Sequence, residues 1–193
     1  MFDASLESAA QIIARHAPHH GVFPTLVPGL TLYRIESNAF IERTAGEIMT
    51  TFIVHGRKTT AIGGKMLEYG AGESLVCGIA SPSEFHTLDA SRDNPFLALS
   101  VSLDASILME YADALYDRHQ SGQLSEMPGG VFVICPDEDL RDVFLRLLKI
   151  LDRPKLIAVR APLILRELHA LLLDSSCGAE LRALVPDPKA MPF

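Results

Sequence analysis

The period of the hydrophobic pattern changes at Leu103, and that change limits the chain more than any other feature. Over residues 29–103, short runs rich in Val, Ile, Thr, Phe and Tyr alternate with Gly, Asn and Pro turns. Such residues suit a pleated, half-buried surface. The pattern predicts strands over 31–37, 47–55, 58–62, 65–69, 74–79, 83–89 and 96–102, with 131–134 returning as a last strand. Gly63-Gly64 falls between two runs and predicts a two-residue hairpin turn, because both turn positions need positive φ. Gly70-Ala71-Gly72 marks another turn. Strands this short and evenly spaced predict a small barrel or sandwich.

Beyond Leu103 the apolar residues recur at helical spacing. Asp104 is placed to cap a helix over 105–120, and Asp137 one that runs to about 151 and stops at Pro154. Leu140, Val143, Phe144, Leu147, Leu148 and Leu151 form a one-face stripe on the second of these. Further helices are expected over 161–173, with Pro162 in the first turn, and over 179–185. At the other end, Leu6, Ala9, Ala10 and Ile13 predict a helix over 4–15, followed by a loop over 18–28. The fold class is therefore α+β, mainly β: a small β-barrel followed by C-terminal amphipathic helices. The expected division is an N-terminal helix and loop over 1–20, a β region over 21–136 with the 105–120 helix inserted, a helical region over 137–185, and a tail over 186–193.

Several function classes fall away. The 193 residues carry 17 Lys and Arg against 24 Asp and Glu, a net charge of -7, so this part of the chain has no electrostatic claim on a phosphate backbone. Cys77, Cys135 and Cys177 are odd in number and show no C-x-x-C spacing, which points to reduced thiols. The opening Met1-Phe-Asp-Ala-Ser-Leu-Glu has acids where a signal peptide has Lys or Arg. No apolar run approaches the roughly 18 residues of a membrane helix. A cytoplasmic protein without a membrane partner is expected. There is neither a G-x-S-x-G nor a phosphate-binding loop, no catalytic residue stands out, and no cofactor is implied.

A series of local patterns resembles the N-terminal regulatory domain of one AraC-type subfamily. They are Pro28-Gly-Leu-Thr-Leu-Tyr33, Gly56-Arg-Lys58, Tyr69-Gly-Ala-Gly72 with Ser74-Leu-Val76, Ala90-Ser91, Pro95-Phe-Leu-Ala-Leu99 and Leu103-Asp104. The second half adds Leu147-Leu148, Leu151-Asp-Arg-Pro154, Ala161-Pro-Leu-Ile164 and Arg166-Glu-Leu168 with Leu171-Leu172. Their order and spacing over about residues 25–185 make the resemblance specific. It implies a cupin-like barrel that senses a small-molecule effector, and C-terminal helices that form a homodimer. In that family a DNA-binding half with helix-turn-helix motifs follows, and DNA would be reached only through it; this chain is expected to lack it. Ala80-Ser-Pro-Ser83 departs from the acidic-leucine-proline step often found there, so ligand specificity is expected to differ.

The candidate ligand-binding residues are Phe52, Val54, Tyr69, Cys77, Phe85, His86 and Arg57. Phe52, Val54, Ile62, Tyr69, Leu75 and Phe85 have barrel parity, and an apolar pocket with a few placed polar groups is what a small molecule needs. Tyr69 and His86 are the polar choices among them. Cys77 has no cationic neighbour in sequence to activate it. Arg57-Lys58 either holds an anionic group or keeps a strand edge soluble. Leu140, Phe144, Leu147 and Leu151 are the candidate dimer seam.

Metal-binding cupins use His-x-His, then Glu, then a distant His, a set that suits a divalent ion. Here Glu84 and His86 offer at most half of that, and Pro18 interrupts the His16, His19 and His20 cluster, so no metal site is expected. The alternative function is a stand-alone metal-dependent cupin enzyme, an isomerase or dioxygenase. A weaker third reading is an inhibitory fragment that pairs with a full-length regulator.

Overall fold

The computed structural model describes residues 4–44, 46–115 and 130–184. The expected helical residues 116–120 and 185, the loop over 121–129 and the tail over 186–193 lie outside the described residues. Ten strands and five helices follow one another in the order α1 (Ala4–His16), β1 (Gly21–Pro24), β2 (Leu30–Ile35), β3 (Ile41–Thr44), β4 (Met49–His55), β5 (Arg57–Ile62), β6 (Lys65–Gly70), β7 (Ser74–Cys77), β8 (Ser83–Leu88), β9 (Phe96–Ser102), α2 (Ala105–Leu115), β10 (Val131–Ile134), α3 (Glu138–Lys149), α4 (Pro154–Asp174) and α5 (Gly178–Leu184). The α+β class holds. The helices hold more residues than the strands, so "mainly β" describes only the segment before α3.

The strands form two open antiparallel sheets, one ordered β1-β2-β9-β4-β7-β10 and the other β3-β8-β5-β6. The Gly63-Gly64 turn is present, with φ of 58° and 75°, and it pairs Ile62 with Lys65. Two edge strands escaped the sequence pattern. β1 reads Gly-Val-Phe-Pro, a loop-like composition tolerated only where the missing N–H faces no neighbour. β3 inverts the usual alternation: Ile41 is 49% exposed while Glu42 shares the inner face.

The helices cover one side of the six-stranded sheet. Asp137 Oδ1 accepts the Leu140 N–H at 2.9 Å and starts α3, satisfying a donor that the helix itself cannot. Leu140, Val143, Phe144, Leu147 and Leu148 are each at most 1% exposed, and each such burial stabilises by about 1.5–3 kcal/mol. They join Leu32, Phe52, Val54, Leu99 and Val101 of the sheet in one core cluster.

Pro154 does more than end the preceding helix. Arg153 breaks the helical path with φ -130° and ψ 63°, and Pro154 opens α4, where its absent N–H costs nothing. Helix α4 thus begins seven residues before the expected 161, and Pro162 lies inside it. The buried Ile157, Ala161 and Ile164 on either side hold that stretch against the core. His169 ties α4 to α2: its Nε2 accepts the Asp104 N–H at 2.8 Å and its Nδ1 donates to the Leu165 carbonyl at 2.6 Å. Burial lowers the pKa of this ring, in keeping with a neutral imidazole that can accept at Nε2.

Candidate functional site

Strand alternation gives each sheet two faces, and the inner faces of the two sheets meet. Ile35, Ile53, Leu75, Cys77, Phe96, Ala98 and Val131 of the large sheet share a cluster with Ile62 and Tyr69 of the small one. Phe85 bridges the sheets, its ring centroid 6.0 Å from Tyr33 and 6.5 Å from Phe96.

The polar content of the large sheet's two faces differs in kind. On the helix side Thr50 and Ser74 hydrogen-bond each other at 2.8 Å, and Ser74 also donates to the Thr51 carbonyl. On the inner side Thr51 and Ser100 contact the Met49 sulfur, at 3.7 and 3.3 Å. Facing them from the small sheet is Lys58, 5% exposed. Its Nζ stands 4.0 Å from the Phe85 centroid, 5.4 Å from Tyr69 and 6.0 Å from Phe96. Aromatic faces attract a cation, yet no described residue gives Lys58 a hydrogen bond or an ion pair. Burial lowers its pKa to about 8, with Glu42 and Cys77 acting against the fall, so it carries a proton at neutral pH.

Glu42 lies on the same inner face, opposite Phe85 in the β3–β8 register. Its Oε2 is buried without a hydrogen-bond partner, and burial raises its pKa against the pull of Lys58. Burial also raises Tyr33, with Glu42 and Glu47 adding to the effect. Tyr69 rises for the same first reason, although its hydroxyl hydrogen-bonds Thr60 at 2.9 Å.

The seven expected ligand residues divide by face. Tyr69, Cys77 and Phe85 stand on the inner faces, where the two sheets pack. Phe52 and Val54 do not: they belong to the core under the helices, and Ile53 between them is the inward residue. Central strand β4 is apolar on both sides, so parity marked two faces without saying which was which. His86 also faces outward, as it must when its neighbour Phe85 faces in. It pairs with Glu84 at 3.0 Å, and Glu84 pairs in turn with Arg43. Arg57 is exposed and bonds Glu68 at 2.9 Å and Asp89 at 3.3 Å. It lines a surface groove of about 490 Å³ with Glu68, Gly70 and Glu73, outside the inner space.

Among the described residues, the cation on the inner face is Lys58. The register that Gly63-Gly64 sets pairs it with Tyr69, so an inward Tyr69 carries Lys58 inward too. That signal was available in the sequence. Lys58 is also the cation that Cys77 lacks in sequence, but burial prevails and raises the thiol to about 11.

The expected dimer seam is internal. Leu140, Phe144 and Leu147 are at most 1% exposed and Leu151 is 7% exposed, all within the core of the same chain. The three N-terminal histidines separate: His16 bonds Asp152 at 2.8 Å, His19 packs on Phe23, and His20 accepts the Glu36 N–H. Among the described residues no group of three or more His, Cys, Asp or Glu side chains is placed to hold a metal ion, and no helix is long and apolar enough to cross a membrane.

A family model described as the N-terminus of AraC-type transcriptional regulators matches residues 26–180. No curated protein sequence matches the chain. Among solved structures, an apo ToxT variant from Vibrio cholerae aligns with a TM-score of 0.54 at 8% identity, over 75% of this chain and 54% of that one. Wild-type ToxT from the same organism, bound to an unsaturated fatty acid, gives 0.53 at 8% identity over 82% and 57%. The AraC-like transcriptional activator CuxR gives 0.45 at 14% identity over 94% and 68%. The chain thus spans about half the length of the ToxT chains, and at such identities the likeness is one of fold.

Proposed function

This chain belongs to the AraC-type transcriptional regulators by their N-terminal region, and from that premise we propose that it is an effector-binding domain whose ligand enters between the two sheets. The observation that carries the reading is the unpaired Lys58 on the inner face. A core built only for packing has no use for a buried ammonium, whereas a small-molecule site combines apolar walls with a few placed polar groups. Tyr33, Thr51, Lys58, Tyr69, Cys77 and Phe85 form that lining. The reading is of a binding protein and not an enzyme. The two sheets serve as the cupin-like sensor unit over 21–136, and 137–185 is the helical unit.

The same reading makes the protein a cytoplasmic homodimer, with a different seam from the expected one. Leu156, Val159 and Leu163 on α4 are 40%, 68% and 64% exposed and recur at helical spacing. A stripe of this kind is self-complementary across a two-fold axis. DNA is reached through a further helix-turn-helix half of the regulator, which the ligand controls by binding two states of the helical layer unequally.

A thermal-shift screen followed by methyl NMR on the first stabilising compound tests the ligand site. Shifts are expected for the methyls of Ile53, Ile62 and Leu75, ahead of Leu32, Val54 and Leu99 on the helix side. A stabilising compound whose shifts avoid the inner set, or a broad screen with no stabilising compound, overturns the assignment.

A further inference from the structure

Among the described residues, the inner face of the small sheet holds a cation and an anion that do not meet. Lys58 is 5% exposed and unpaired among the described residues. Glu42 Oε2 is buried and lacks a hydrogen bond. Both stand on the inner face of the small sheet, on β5 and β3, with β8 between them. Two strand spacings and a two-residue offset along the strands separate their backbones, roughly 12 Å. Each feels the other's charge, yet they form no ion pair. Buried charges are ordinarily paired and hydrogen-bonded, so the Lys58 ammonium and the buried Oε2 of the half-buried Glu42 each lack a complement among the described residues. Phe85 stands between them, paired with Glu42 across β3–β8 and 4.0 Å from Lys58 Nζ at its ring centroid, and Tyr33 and Phe40 pack on it with centroids 6.0 and 5.9 Å away.

Resting on the ligand site just assigned, we infer that the occupant is a small carboxylic acid that also carries a hydroxyl or ammonium donor on an apolar body. Its carboxylate lies against Lys58 and its donor against Glu42. A simple monoanion satisfies Lys58 but faces the Glu42 carboxylate with nothing to donate to it. A simple amine meets Glu42 and is repelled by Lys58. A molecule with an acceptor at one end and a donor at the other satisfies both, and the aromatic side chains cover its apolar part. Hydroxy acids and amino acids share this chemistry.

Isothermal titration of the 193-residue chain with four matched compounds tests the inference: L-phenylalanine, 3-phenyllactate, 3-phenylpropanoate and 2-phenylethylamine. One of the first two is expected to bind at least tenfold tighter than either of the last two, and which one it is identifies the donor as ammonium or hydroxyl. Lys58→Met is expected to weaken that binding at least tenfold. Glu42→Gln is expected to bring 3-phenyllactate and 3-phenylpropanoate closer together in affinity. Equal affinity of the wild type for 3-phenyllactate, L-phenylalanine and 3-phenylpropanoate overturns the inference, as does tight binding that survives Lys58→Met. The comparison among ligands uses wild-type protein, so it decides the matter even if a variant does not fold. If none of the four binds while another compound shifts the Ile53 and Leu75 methyls, the ligand class is wrong and the site stands. If no compound shifts them, both fail.

Discussion

Phe52 of β4 and Phe144 of α3 lie face to face, with ring centroids 4.9 Å apart and planes 4° from parallel. This stack joins the sheet to the helix that Asp137 starts, and both rings are fully or nearly buried. Phe144→Ala leaves a ring-sized void where the surrounding residues cannot close in. A loss of about 3–5 kcal/mol is expected, read from urea unfolding. A loss below about 1 kcal/mol means that α3 does not pack on this sheet.

Lys58 gives the fold a pH dependence with a definite sign. Its native pKa is lowered to about 8, below the value of about 10.4 in an unfolded chain. Between those values the unfolded state binds more protons, so stability rises with pH. The penalty is complete below about pH 8 and relieved by about pH 10.4. Lys58→Met lacks it and is expected to be about 1–3 kcal/mol more stable than wild type at pH 7. The gap between the two should narrow by at most about 1.4 kcal/mol per pH unit through that window. A constant gap from pH 7 to 10 refutes the burial of a charged Lys58.

The three thiols differ in access. Cys135 is exposed, whereas Cys77 and Cys177 are buried, and burial raises the pKa of both. Thiolate is the reactive form. With a chromogenic disulfide reagent at pH 8, one thiol per chain is expected to react promptly and the other two only after denaturation. Prompt labelling of Cys77 in the native protein contradicts the inner face described for it.

The α4 stripe predicts a change of assembly without a change of fold. Val159→Asp with Leu163→Asp alters two side chains that are 68% and 64% exposed, and such positions rarely cost more than about 0.5 kcal/mol each. Sedimentation is expected to show a dimer for the wild type and a monomer for the double variant, with unchanged circular dichroism. Equal sedimentation of the two removes α4 as the seam.

Much of this architecture was legible in the sequence because period and turn chemistry are local. β9 and β10 match their expected spans, Gly63-Gly64 makes the expected two-residue hairpin turn, and Asp137 caps α3. Three features were not local. The inward placement of Glu42, with its Oε2 buried, follows from the pairing of β3 with β8, 41 positions away at Arg43 and Glu84. Which face of β4 points inward depends on which side the helices cover, so Phe52 and Val54 went to the wrong layer. The stripe on α3 was equally compatible with a second subunit and with its own sheet, since apolar periodicity identifies a face that needs covering but not what covers it.

Strand β4 is a wall one peptide thick. Ile53 packs in the cluster between the sheets, and Phe52, the preceding residue, rests on α3. Consecutive side chains of a strand point to opposite faces, so the two surfaces lie a single residue step apart on β4.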